Sequence, residues 1–281
     1  MHPDLFQLGP LTVHTYSVLV DLGILAGALI AYREAKRLGI DSNVFADFAL
    51  WVIVAGLAGS RLYHVFMYPD LYAGDWLSVF RLWEHGLVFQ GAFLGGLIAG
   101  IIFVRLHRLP FWRMADAAAL GLVFGHSIGR VACFFAGCCY GELCDLPWAV
   151  SFPVLGDGPR HPTQLYEALA NLVIFGILLL VRRRKPFDGF VFLLYVALYS
   201  MVRFTDEFFR GDPAQMVGTL RLAQTVATTT FVVAVLLMLF LMLRARSLPD
   251  PSMVHEEETG SLDEVLGDTA KTPGKETMRP L

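Results

Sequence analysis

The chain has 281 residues, of which 56% are hydrophobic and 17% charged, with a mean hydropathy of +0.56. A soluble domain is nearer half apolar and a quarter charged, so this composition demands an apolar solvent and excludes a soluble enzyme. The net charge of −3 gives no global basic field for nucleic acid; the charges are segregated along the chain instead.

The opening MHPDLFQLGP has no basic stretch ahead of an apolar run and no small-residue cleavage site. That pattern argues against a cleaved signal peptide, so the first apolar segment is expected to stay in the membrane. A helix needs roughly 20 mostly apolar residues to cross the hydrocarbon core. Such runs fall near 13–32, 45–66, 87–105, 114–137, 164–181, 189–208 and 222–243. The expected fold is an all-α integral membrane protein, a bundle of about seven transmembrane helices. The connecting charges set its orientation. One set of connections holds Arg33, Lys36, Arg37, Arg105, Arg108, Arg113, the run Arg182 to Lys185, and Arg244 with Arg246. The alternate set holds only Arg81, Arg160, Arg210 and Arg221. The richer set belongs in the cytoplasm, which leaves the N-terminus outside and the C-terminus inside. Residues 1–246 form the membrane domain. Residues 247–281 are polar and charge-rich, too poor in apolar surface to offset ordering, and read as a disordered cytoplasmic tail in which SLDEVLGD is at most a transient helix.

Small residues recur at helical spacing in the third span (Gly91, Gly95, Gly96, Gly100) and the fourth (Gly121, Gly125, Gly129). In lipid, where no hydrophobic drive brings helices together, such stripes let backbones approach closely. Packing is the reading for most of these glycines. They hold a compact bundle around something polar.

Charged side chains within a span usually face a cavity or a partner. Arg61 ends the second span, and for it snorkelling and function are balanced readings. Arg130, late in the fourth span, is apolar-flanked on both sides. Arg203, Glu207 and Arg210 in RFTDEFFR fall at i, i+4 and i+7 and are expected to share one helix face. One carboxylate between two guanidiniums leaves positive excess, and the planar guanidinium fork suits phosphate. The competing reading is a self-satisfied structural ion cluster. In the orientation above, Arg130 and Arg203 lie toward the outer leaflet, near Arg160, His161, Gln164, Tyr166 and Glu167.

These residues carry a resemblance. LGPLTVHTYSVL, SRLYHVF, RLWEHGLVFQGAFLGG, GHSIGRVACFFAGCCYG, RHPTQLYEA and VRFTDEFFRGDPAQ, in this order over about residues 7 to 245, resemble the bacterial prolipoprotein diacylglyceryl transferase family. The resemblance implies transfer of the diacylglyceryl group of phosphatidylglycerol to the lipobox cysteine thiol of a preprolipoprotein, the first step of lipoprotein maturation. It implies a multi-pass protein of the bacterial cytoplasmic (inner) membrane, acting on membrane lipid at its outer face, with glycerol phosphate released. Carried over by position, Arg130 matches the signature arginine and Gly141 its closing glycine. Arg203, Glu207 and Arg210 match the sixth-span cluster, and Tyr16 the first-span tyrosine. Arg130 and Arg203 are then expected to stabilise charge on the leaving phosphate, Glu207 to hold the guanidiniums, and Tyr16 to hydrogen-bond the headgroup. The scheme requires no metal and no soluble cofactor.

Two departures follow. Where many family members carry a histidine proposed as a base, this chain has Gln90, and an amide cannot take a proton at neutral pH. His126, one helical turn before Arg130, is the obvious substitute, with a hydrogen-bonded packing role as its other reading. The second departure is the cysteines, all four of which fall between Cys133 and Cys144. They lack C-x2-C spacing and read as small fillers, or as one disulfide from Cys138 or Cys139 to Cys144, in preference to a metal site. Two other functions remain in view. One is a paralogue with the same lipid-binding bundle but another acceptor or reaction. The other is a non-enzymatic lipid- or anion-binding protein, against which the one-sided placement of the intramembrane charges argues.

Overall fold

The computed structural model describes residues 4–8, 11–81, 86–153, 155–156, 158–213 and 215–247. Of the tail expected from 247 onward, Ser247 closes the last helix, and the rest, SLDEVLGD included, lies outside the described residues. Among the described residues seven α-helices run in chain order: α1 (Thr15–Arg37), α2 (Ser42–Met67), α3 (Phe89–Leu106), α4 (Phe111–Ala136), α5 (Thr163–Val181), α6 (Phe190–Asp206) and α7 (Leu222–Ser247). All but α6 are long and apolar enough to cross a membrane. At 17 residues α6 sits at the lower limit of a span. The chain is thus an all-α integral membrane protein. Helices suit this solvent because every backbone hydrogen bond closes within the segment, and large apolar side chains such as Leu25, Phe66, Leu180 and Phe240 face outward. Residues up to Met238 cluster into one compact unit, and a second starts at Leu239, inside α7.

The strongest packing pairs are α1 with α4 and α2 with α3, followed by α4 with α5 and α5 with α6. The glycine stripes make the first two possible. A Cβ on Gly27 would stand 2.7 Å from the Gly121 carbonyl oxygen, and one on Gly59 would stand 2.5 Å from that of Gly91. Gly129 departs from the expectation: a Cβ there meets nothing within 4 Å, so it is not part of the seam.

Short hairpins join the helices where the sequence reading placed only loops. Strands β1 (Asp4–Leu8) and β2 (Leu11–His14) pair antiparallel just before α1. Two-residue ladders join β3 (Val150–Ser151) to β4 (Pro159–Arg160) and β5 (Met216–Val217) to β6 (Leu220–Arg221). Such ladders are too short to leave an alternation pattern in sequence.

At the end of the bundle that carries Arg37 and Arg182, two buried carboxylates tie helices together. Glu34 pairs with Arg182 Nη1 at 2.5 Å and with Arg37. Asp116 of α4 accepts from the backbone N–H groups of Gly189 and Phe192 at 2.9 and 3.0 Å, and from Lys185 Nζ at 2.9 Å. It therefore caps the N-terminus of α6 from another helix, since Gly189 has no side chain to do so. Arg61 is settled as buried: its guanidinium donates to the carbonyls of Ser78 and Val79 at 2.5 and 3.0 Å and lies over the Tyr72 ring. It does not snorkel; it organises the α2–α3 connection.

Candidate active site

Arg130 stands late in α4, and its Nη2 lies 2.9 Å from Oε1 of Glu167, a carboxylate on the second turn of α5 that is 1% exposed. The same oxygen accepts a 2.8 Å hydrogen bond from the Tyr199 hydroxyl of α6 and lies 3.5 Å from His126 Nε2. One buried oxygen thus gathers α4, α5 and α6, and the His126 and Tyr199 rings pack with centroids 4.9 Å apart. One turn beyond Tyr199, Arg203 pairs with Glu207 at 2.6 Å and approaches Asp206 at 3.6 Å. Tyr199 and Arg203 are four residues apart on one face of α6, so Arg203 stands next to the Arg130–Glu167 pair that Tyr199 joins.

The sixth-span cluster differs from its expected form. Helix α6 ends at Asp206, so Glu207 is its C-cap and Arg210 lies beyond the helix, not on a shared face. Arg210 is held bidentately by Asp212, with Nε and Nη2 at 2.8 and 2.5 Å, and reaches Glu207 only at 3.9 Å. Arg221, just before α7, adds a 3.5 Å contact to Glu207. The expected positive excess is also corrected: Glu167, Asp206, Glu207 and Asp212 face Arg130, Arg203, Arg210 and Arg221. Glu207 does not hold every guanidinium, because Arg130 belongs to Glu167. Glu167 was visible in the sequence as a carboxylate in an apolar span, a signal in its own right. Tyr199, Asp206, Asp212 and Arg221 carried none.

Several donors remain open. Among the described residues, Arg130 Nε and Arg203 Nη1 are buried without a hydrogen-bond partner, as are both Asp206 carboxylate oxygens, with Arg203 Nη1 and Asp206 Oδ2 in ion-pair contact at 3.6 Å. Buried donors are normally satisfied, and an open pair of guanidinium N–H groups suits an arriving anion. Beside them a cavity of about 290 Å³ runs between α5 and α6, lined by Tyr166, Glu167, Ala170, Met201, Asp206 and Phe209 among others. Met201 and Phe209 are exposed, so its rim lies on the outward apolar surface of the bundle.

Gly141 lies where three loops meet. Its N–H donates to His161 O at 3.0 Å, it bridges to Arg210, and its carbonyl accepts from Arg160 Nη1 at 3.0 Å. A Cβ there would stand 2.5 Å from His161 Cβ and 2.7 Å from the Phe209 carbonyl, so the position admits only glycine. Tyr16, on the first turn of α1, is half exposed and within electrostatic reach of Arg130 and of Cys133, Cys138 and Cys139. Gln90 is not brought to the arginines by any hydrogen bond among the described residues; it stands exposed on α3, which packs mainly on α2.

All four cysteines are free thiols, so of the two readings the disulfide to Cys144 is not formed. The sulfurs of Cys133, Cys138 and Cys139 instead lie within 4.8 Å of one another, with Cys144 outside the group.

The fold and site define a multi-pass membrane protein with buried guanidinium–carboxylate pairs beside a cavity on its outward apolar surface. The comparisons with known proteins narrow it. The family model described as prolipoprotein diacylglyceryl transferase matches residues 3–240. Curated proteins named phosphatidylglycerol–prolipoprotein diacylglyceryl transferase are similar throughout. That of Gloeobacter violaceus is 38% identical over 80% of this chain and 87% of its own length. Those of Acaryochloris marina and Bacillus velezensis are 34% and 33% identical over 88% and 85% of this chain and 93% and 92% of their own. The chain belongs to the prolipoprotein diacylglyceryl transferase family.

Proposed function

We propose that this chain transfers the diacylglyceryl group of phosphatidylglycerol to the lipobox cysteine thiol of a preprolipoprotein, at the outer leaflet of the bacterial cytoplasmic membrane. The observation that carries this reading is the convergence of Arg130 and Arg203 on one chamber with open N–H donors, beside a cavity rimmed by lipid-facing side chains. A phospholipid can slide in sideways, its phosphate meeting Arg130 Nε and Arg203 Nη1. The thiol sulfur attacks the glyceryl carbon bearing the phosphate ester, and the carbon–oxygen pair departs with glycerol phosphate. Guanidiniums aimed at the oxygen where charge develops stabilise the transition state more than the ground state. Glu167 and Glu207 hold Arg130 and Arg203 in place, Tyr16 meets the headgroup, and His126 is the side chain able to take the thiol proton, since Gln90 cannot.

The basic connections favour a cytoplasmic C-terminus, which puts this chamber on the outer side. The division into a membrane domain (1–246) and a cytoplasmic tail (247–281) follows the same reading. The test is transfer from labelled phosphatidylglycerol to a lipobox peptide by the purified chain. Wild type should form the thioether-linked lipid and Arg130→Ala should not; equal rates overturn the assignment. A second reading, the same lipid site serving another acceptor, is favoured by Gln90 and the thiol cluster. Complementation of a transferase-depleted bacterium separates the two.

A further inference from the structure

The three clustered thiols are assembled by deliberate backbone geometry. Cys133 sits on the last turn of α4, which Gly137 closes in the left-handed conformation at φ 70°. The chain then folds back, with Cys138 N–H donating to Cys133 O at 3.3 Å and Cys139 also left-handed at φ 61°. A non-glycine residue there is strained by about 1 kcal/mol or more and persists only where its surroundings enforce it. The first turn of α5 does so: Thr163 Oγ1 donates to Cys139 O at 2.8 Å, and Gln164 Nε2 to Cys138 O at 2.6 Å. Apolar fillers need no such pinning. Nor does a single disulfide need three sulfurs to converge.

We propose that Cys133, Cys138 and Cys139 bind one Zn2+ ion as a three-thiolate site whose open fourth position takes the thiol of the acceptor polypeptide. With Zn–S bonds of about 2.3 Å, tetrahedral ligation sets sulfurs about 3.8 Å apart, so the present cluster contracts by about 1 Å at most. Three protein ligands with one position left open is the arrangement of a catalytic rather than a structural zinc. The opening exists, since Cys138 is exposed. Three thiolates on Zn2+ leave one negative charge, and Arg130 stands one helical turn before Cys133 on α4.

The inference rests on the transferase reading, because it needs a thiol acceptor. It supplies what Gln90 takes away. The acceptor thiol loses its proton on binding zinc, and the proton passes through water to His126, two helical turns from Cys133. The zinc-bound sulfur then forms the C–S bond to the glyceryl carbon as the C–O bond breaks, and glycerol phosphate leaves with the bonding pair. Zinc stays divalent throughout.

The test uses the purified full-length chain. Zn2+ should be retained at one equivalent by wild type and Cys144→Ser and lost by Cys138→Ser. Should Cys138→Ser misfold, protection of wild-type thiols from alkylation by Zn2+ reads the same contact. Co2+ in its place should show thiolate charge-transfer absorption that rises on adding a lipobox peptide and not its Cys→Ser form. Removing the metal should lower transfer about 100-fold, the size of a lost proton-transfer contribution, and Zn2+ should restore it. Transfer that proceeds with no bound metal overturns the inference and leaves the transferase reading intact. A Co2+ spectrum indifferent to the peptide thiol also overturns it. Loaded protein that answers the peptide spectroscopically yet moves no lipid instead overturns the transferase reading.

Discussion

Arg130 Nη2 and Glu167 Oε1 meet at 2.9 Å across α4 and α5, and the same oxygen takes the Tyr199 hydroxyl from α6. A carboxylate that is 1% exposed and shared in this way fixes three helices and one guanidinium at once. Glu167→Gln removes the charge but keeps the shape, leaving Arg130 buried without its counter-ion. Breaking a buried pair from one side is destabilising by about 3–5 kcal/mol. Glu167→Gln should therefore lower thermal stability in detergent and reduce lipid transfer at least as far as Arg130→Ala does. Wild-type stability and rate in this variant would show that Arg130 is held by something else.

The helices were legible in the sequence because each apolar run matches the membrane's thickness, and Arg130 and Arg203 stood out because charge is rare inside such runs. What stayed hidden depends on partners far apart in sequence. Asp116 reads as one acid in a span and says nothing of the α6 N-terminus it caps 73 residues on. Arg210 was assigned to a helix face because periodicity cannot see that α6 stops at Asp206. The thiol cluster escaped for a related reason. The chain has no C-x2-C spacing, and two left-handed residues, Gly137 and Cys139, bring the sulfurs together here.

Arg203→Lys tests the fork rather than the charge. A lysine keeps the cation but presents a compact ammonium, losing the Nη1 donor that makes no hydrogen bond and the geometry that pairs with Glu207. Removing one preorganised donor to a developing oxyanion typically costs about 100-fold or more in turnover. The expected result is a kcat loss on that order with insertion and stability near wild type. A variant with full kcat would remove Arg203 from the transition state.

Asp116→Ala separates folding from chemistry. The substitution leaves two N–H groups at the start of α6 without their acceptor and Lys185 with Asp188 alone, a loss of about 3 kcal/mol. Stability should fall while the lipid site keeps its geometry in the molecules that remain folded. A pH signature accompanies it. Burial works against the Lys185 charge, but hydrogen bonds to Asp116 and Asp188 outweigh it and raise its pKa above the ordinary 10.5. That stabilisation is complete below pH 10.5 and fades as pH climbs through the raised value. Thermal scans of wild type should show the alkaline loss, and Asp116→Ala should show less of it.

Gly27→Val probes the seam between α1 and α4. Its Cβ would stand 2.7 Å from the Gly121 carbonyl, so the helices must separate, with overpacking of about 1–3 kcal/mol. Gly129→Ala is the matched control, because a Cβ there meets nothing within 4 Å. Detergent-solubilised Gly27→Val should lose folded protein on heating well before Gly129→Ala. Equal stability of the two would mean that the glycine stripe does not set the crossing.

His126→Ala asks where the thiol proton goes. The ring stands 3.5 Å from Glu167 Oε1 and packs on Tyr199, but Glu167 keeps Arg130 and Tyr199 without it. Its loss should leave the chamber assembled and the protein folded. If His126 receives the proton, transfer falls about 100-fold or more at neutral pH, the usual contribution of a general base. The loss should shrink at alkaline pH, where hydroxide and the free thiolate take over. A structural role predicts the opposite pattern: lower stability and a rate deficit that pH does not relieve. Full lipidation by His126→Ala at neutral pH would leave the proton to solvent alone and remove His126 from the reaction.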